Sequence, residues 1–78
     1  MLTYLGSGSR NYGDKPLEPM RRPYWEFQAV LAGKISMTGV RPGQRFRAKH
    51  LWLSRPGHLH GWSGVPGEAA EVVVFHFH

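Results

Sequence analysis

Apolar positions along this chain come in short runs, broken every few residues by glycine or proline, and no run of ten or more residues keeps a helical period. That rhythm predicts strands and tight turns. Tyr24–Ala32 mixes aromatic and aliphatic residues and is closed by Gly33, a residue that accepts the positive φ of a turn. Lys34–Thr38 predicts a second, short strand, and Pro42-Gly43 a turn after it. His50–Ser54 reads as a strand stopped by Pro56-Gly57, and His58–Trp62 as another, ended by the turn over Gly64 to Gly67. Ala70–His78 predicts the strongest strand, with Val72, Val73 and Val74 in succession. Residues 1–23 are rich in Gly, Ser, Pro and charge and read as an N-terminal arm with loops, carrying a short strand near Thr3–Leu5. The expectation is one all-β domain over 1–78, with its strands in 24–78: a sandwich or barrel of about five to seven strands.

Strand alternation leaves one question open. On Tyr24–Leu31, Glu26, Gln28 and Val30 share one face, and Trp25, Phe27, Ala29 and Leu31 the other. Hydrophobic patterning puts Trp25 and Phe27 inside and Glu26 in water. The last strand raises another point. A chain that stops in or just after a strand exposes an edge, so the sequence reads as part of a longer protein or as a subunit covered by its partner.

With 78 residues, the domain buries only about 60% of its unfolded surface, so its core is marginal unless reinforced. There is no cysteine to form a disulfide; this matches a reducing cytoplasm, the expected location. No apolar run reaches the roughly 18 residues of a membrane span. Self-association into a homodimer is therefore the expected reinforcement, aided by the surplus aromatic face. The net charge is +5. Its ten Lys and Arg are scattered, with Arg41, Arg45 and Arg47 around a turn and none after Arg55. Without a helix-turn-helix pattern or zinc-finger spacing, the charge reads as a basic surface, and no direct nucleic-acid contact is expected of this segment.

Three segments carry a family resemblance. Glu26 followed by six residues and Gly33 resembles the second half of the first cupin motif. Leu51 to Ser54, then Pro56-Gly57, two residues and His60, resembles the second motif. Glu71 to Phe77 resembles the strand that follows in the sensing domain of AraC-type transcriptional regulators. The resemblance covers about residues 24–78 and implies a cupin-like barrel, or a half-barrel completed by a partner subunit, that senses a small polar effector such as a sugar. It implies that Glu26 faces the interior, against the patterning. Glu26, Gln28 and His60 are then expected to hydrogen-bond ligand hydroxyls, Trp62 to stack on a sugar face, His76 to line the wall and Arg22 to meet a carboxylate. The paired histidines that precede the Glu in metal cupins are replaced by Pro19, Met20, Arg21 and Arg22. No metal, no other cofactor and no catalytic residue are therefore expected.

Two alternatives stay beside this reading. His58 with His60, and His76 with His78, are His-x-His pairs on neighbouring predicted strands, and imidazoles suit several metals. A metal-binding cupin with isomerase or dioxygenase-like activity would draw on Glu26, His58, His60 and His76. Acid–base chemistry by Glu26 with His60 is the other alternative, but the sequence supplies neither a nucleophile nor a phosphate-cradling glycine loop beside them.

Overall fold

A computed structural model describes residues 1–40, the backbone of 46–48, and 50–78. Eight strands follow one another: β1 Leu2–Arg10, β2 Leu17–Arg21, β3 Trp25–Ala32, β4 Ile35–Thr38, β5 Phe46–Ala48, β6 Leu51–Ser54, β7 Leu59–Gly64 and β8 Ala70–Phe77. They form two antiparallel sheets, a five-stranded one in the order β1-β8-β3-β6-β5 and a three-stranded one in the order β2-β7-β4. The described residues contain no helix, and the two sheets do not close on each other. The all-β class follows the sequence expectation.

The turns sit where the glycines were. Gly33 has φ 78°, and a Cβ there would also press within 2.9 Å of the Ala69 carbonyl and of Ala70 Cα, so no side chain fits. The turns at Pro56-Gly57 and Pro66-Gly67 likewise separate β6 from β7 and β7 from β8. The predicted turn at Pro42-Gly43 lies outside the described residues, as do Arg41 and Arg45 and the side chain of Arg47.

Residues 1–23 depart from expectation. They are not an arm: they supply β1 and β2, which pair with β8 and β7. A Gly-Ser-rich segment has weak intrinsic strand propensity, but β8 offers it a complete ladder, and tertiary pairing outweighs propensity here. The last strand is consequently no exposed edge, because it lies between β1 and β3. Asp14 ties the β1–β2 loop down by accepting the Gly67 backbone N–H at 3.1 Å and the Asn11 amide at 2.9 Å.

The core forms where the sheets face each other. Ile35 and Met37 on β4, Trp52 on β6, Trp62 on β7, and Ala70, Val72 and Val74 on β8 are buried together with Tyr12 from the β1–β2 loop. The Trp52 and Trp62 rings meet edge to face at 6.2 Å. Cross-strand register sets what else points inward. Ser54, Glu26, His76 and Tyr4 form one row across β6, β3, β8 and β1, and Trp52, Gln28, Val74 and Gly6 form the next. The opposite face of the same sheet carries Leu53, Phe27, Phe75 and Leu5 in one row, beside Trp25 with Phe77. Phe27 stacks on Phe75 at 5.0 Å there, and both are only half-buried. The open question about β3 is thus resolved: Glu26 and Gln28 are buried at 5% and 1% exposure, while Trp25 is 38% exposed.

Candidate functional site

Glu26 is the centre of the buried polar row. Its Oε1 accepts the Trp62 indole N–H at 2.7 Å and His60 Nε2–H at 2.8 Å, and its Oε2 accepts His76 Nε2–H at 2.7 Å. Burial pushes the carboxyl pKa up, but the hydrogen bonds from His60, Trp62 and His76, with the His60 charge, outweigh it and hold Glu26 below its ordinary value of 4.5. The carboxylate is therefore ionised at neutral pH inside the domain.

His60 is held from its other side. Its Nδ1 lies 2.9 Å from Ser54 Oγ and 3.2 Å from the His58 carbonyl, so the ring is fixed on one side while Nε2 meets Glu26 on the other. Serine, imidazole and carboxylate are in line, the order of groups used by many hydrolases. Ser54 and His60 are 3% and 0% exposed, however, so no substrate reaches the hydroxyl. The chain of bonds positions the carboxylate instead. Gln28 is satisfied by Tyr12, whose hydroxyl lies 3.1 Å from Nε2 and 3.4 Å from Oε1.

A cavity of about 230 Å³ opens beside this network, lined by Tyr4, Arg10, Tyr12, Leu17, Arg22, Tyr24, Glu26, Gln28, Val74 and His76. The His76 ring is set between Tyr24, stacked at 4.1 Å, and Tyr4, tilted at 4.9 Å. Tyr4 bends over Gly6, the position in the next row where a Cβ would collide with its ring. Burial raises the Tyr12 phenol above 10.0, with Gln28 and Arg10 acting the other way. Burial and the Glu26 charge raise Tyr24, against the charge of Arg22. Both tyrosines are neutral hydrogen-bonding groups at physiological pH. A larger cavity, about 490 Å³, lies beside β4 and β7, but its polar side chains Lys34, Ser36 and Ser63 are exposed or half-buried and have no ionised partner among the described residues. The buried ionised group lies at the smaller one.

Of the six residues expected to bind ligand, Arg22, Glu26, Gln28 and His76 line this cavity. His60 and Trp62 do not: both are 0% exposed behind Glu26. The stacking surface expected of Trp62 falls to Tyr4 and Tyr24, because the indole is needed in the core, where it stacks on Tyr12 and donates to Glu26. Sequence reading missed Tyr4, Arg10, Tyr12 and Tyr24. Arg10-x-Tyr12 and Arg22-x-Tyr24 repeat one spacing, a signal that begins in the segment read as an arm with loops and ends at the start of the strand read over Tyr24–Ala32.

The donors do not suit a metal. His60 and His76 point their N–H groups at opposite oxygens of Glu26, leaving no common point toward which free lone pairs converge. His58 precedes β7 and His78 follows β8. Among the described residues no group of three His, Cys, Asp or Glu side chains is arranged to hold a metal ion, and no helix is long and apolar enough to cross a membrane.

Compared with known proteins, the chain matches no family model, no curated protein and no solved structure.

Proposed function

We propose that this domain binds a small polar molecule in the cavity beside Glu26, as the cupin-like sensing domain of an AraC-type transcriptional regulator does, and that it acts as a sensor rather than an enzyme. The observation that carries the reading is a buried, ionised carboxylate at the wall of a cavity whose other walls alternate aromatic rings with hydrogen-bonding groups. Apolar walls with a few placed polar groups are the composition of small-molecule sites. At about 230 Å³, the space is smaller than the roughly 300–1,000 Å³ of drug-sized pockets and matches a molecule of monosaccharide size. The motif resemblance over 24–78 supports the cupin-like reading, and the inward orientation of Glu26 accords with it. Such a sensor works in the cytoplasm and contacts DNA only through another domain.

Self-association belongs to the same reading, with a second copy covering the outer face of the five-stranded sheet. Over β6, β3, β8 and β1 that face spans on the order of 500 Å² at ordinary strand spacing. This is most of the roughly 800 Å² per partner of a standard interface. Its central rows hold no charged residue.

Calorimetric titration of neutral sugars and small acids, with and without a chelator, tests the ligand site. Binding of at least one compound, unchanged by chelation and lost when Gln28→Leu or Tyr24→Ala alters the wall, is expected. Stoichiometric metal bound through Glu26 and His60, with ligand binding abolished by chelator, replaces this reading with a metal-dependent cupin.

A further inference from the structure

The class of ligand follows from which hydrogen-bonding groups in the cavity are already committed, and this rests on reading the cavity as a ligand site. The acceptors are partly committed. Glu26 Oε1 takes two N–H donors and Oε2 one, and the Gln28 amide pairs with the Tyr12 hydroxyl. The donors are in surplus. A guanidinium carries five N–H groups. Arg10 donates from Nη1 to the neighbouring Ser9 carbonyl at 3.0 Å and also engages the Tyr12 hydroxyl. Arg22 donates from Nη1 to the carbonyls of His60 at 2.6 Å and Met20 at 3.3 Å and also engages the Tyr24 hydroxyl, so that among the described residues neither guanidinium has partners for all its N–H groups.

The charges agree with this count. Two arginines line the cavity against one carboxylate, which already takes N–H donors from His60, Trp62 and His76. A neutral sugar brings no charge to pair with the two guanidinium groups. An anion needs donors and positive charge and finds both, on side chains shaped for planar recognition.

We infer that the cavity takes a small organic acid, its carboxylate met by Arg10 and Arg22 and its ring or hydroxylated body lying against Tyr4 and Tyr24. Arg10 and Arg22 then select acids over their neutral counterparts, while Glu26 orients His76 and excludes ligands that bring negative charge to the inner end.

The test compares galacturonate with galactose, a pair differing in one carboxylate, by titration calorimetry at neutral pH and low salt. The wild-type chain is expected to bind the acid at least ~10-fold more tightly, the effect of one charge-assisted hydrogen bond. Arg10→Gln should remove that preference by weakening the acid ~10- to 100-fold, far more than it weakens the sugar. Arg10 holds only the Ser9 carbonyl and the Tyr12 hydroxyl among the described residues, so this variant keeps the fold, as its melting temperature will verify; Arg22→Gln is the second variant and shows the same loss. Raising the salt should weaken the acid selectively. Equal binding of acid and sugar, or an acid preference that survives Arg10→Gln, overturns the inference and leaves the ligand site standing. If neither compound binds, both the inference and the ligand-site reading fall.

Discussion

Strands β3 and β4 are neighbours in the chain, yet they divide their residues in opposite ways. On β4, Ile35 and Met37 are buried and Ser36 and Thr38 lie on the outer side. On β3, Glu26 and Gln28 are buried and Trp25 and Phe27 lie outside. The first arrangement is driven by apolar surface leaving water. The second runs against that force and persists because each inward polar atom has a partner: no buried side-chain nitrogen or oxygen among the described residues lacks one. The contrast shows where the fold has given up burial of apolar surface in order to present chemistry.

The comparison can be broken most directly at Glu26. Glu26→Ala leaves the N–H groups of His60, Trp62 and His76 without their acceptor, and should cost about 3–5 kcal/mol, as removal of one buried charged partner does. Urea unfolding measures it. Ser36→Ala on β4 should change stability by less than about 0.5 kcal/mol, as surface substitutions do. A Glu26→Ala variant as stable as the wild type would mean that the polar row holds nothing together.

Acid offers a gentler version. The Glu26 pKa is lowered on folding, so its contribution is fully present above the unfolded value near 4.5 and is lost as pH falls through the lower folded value. Thermal stability should decline below pH 4.5 in the wild type, and the decline should flatten in Glu26→Gln. An equal decline in both proteins would assign the acid sensitivity to other carboxylates.

A smaller effect on folding than at Glu26 is expected outside. Phe75→Ser removes a half-buried ring from the outer face and should lower stability by only about 1–2 kcal/mol, well short of a full core deletion. It should nevertheless convert a dimer to a monomer in sedimentation at tens of micromolar. A wild type that sediments as a monomer at those concentrations would contradict self-association.

The contrast also explains what could be read from the residues. The strands β3, β4, β6, β7 and β8 were legible because Gly and Pro mark their ends. Of β1 only the short stretch near Thr3–Leu5 was, and β2 was not, since their order comes from β8 and β7, far away in the chain. At the site, Glu26, Gln28 and His76 were legible only through the motif resemblance; periodicity alone turned β3 inside out, because apolar alternation cannot register a hydrogen-bonded interior. Trp62 and His60 were found but given the wrong depth. They serve the carboxylate, and residues of the misread first segment, Arg10 and Tyr12, stand where ligand contact was expected.

The pairing of β1 with β8 joins residues 60 to 75 positions apart, from Arg10 with Ala70 to Leu2 with Phe77. Closing so long a loop costs about 2–3 kcal/mol more entropy than closing a short hairpin, and a fold dominated by distant pairings reaches its native state in milliseconds to seconds. During synthesis, at roughly 5–20 residues per second, β1 waits several seconds for its partner to be made. Through that interval the nascent chain carries an unpaired strand, and β3 shows its aromatic side to whatever is near. The rate of polypeptide elongation thus becomes a variable in whether this domain folds or aggregates.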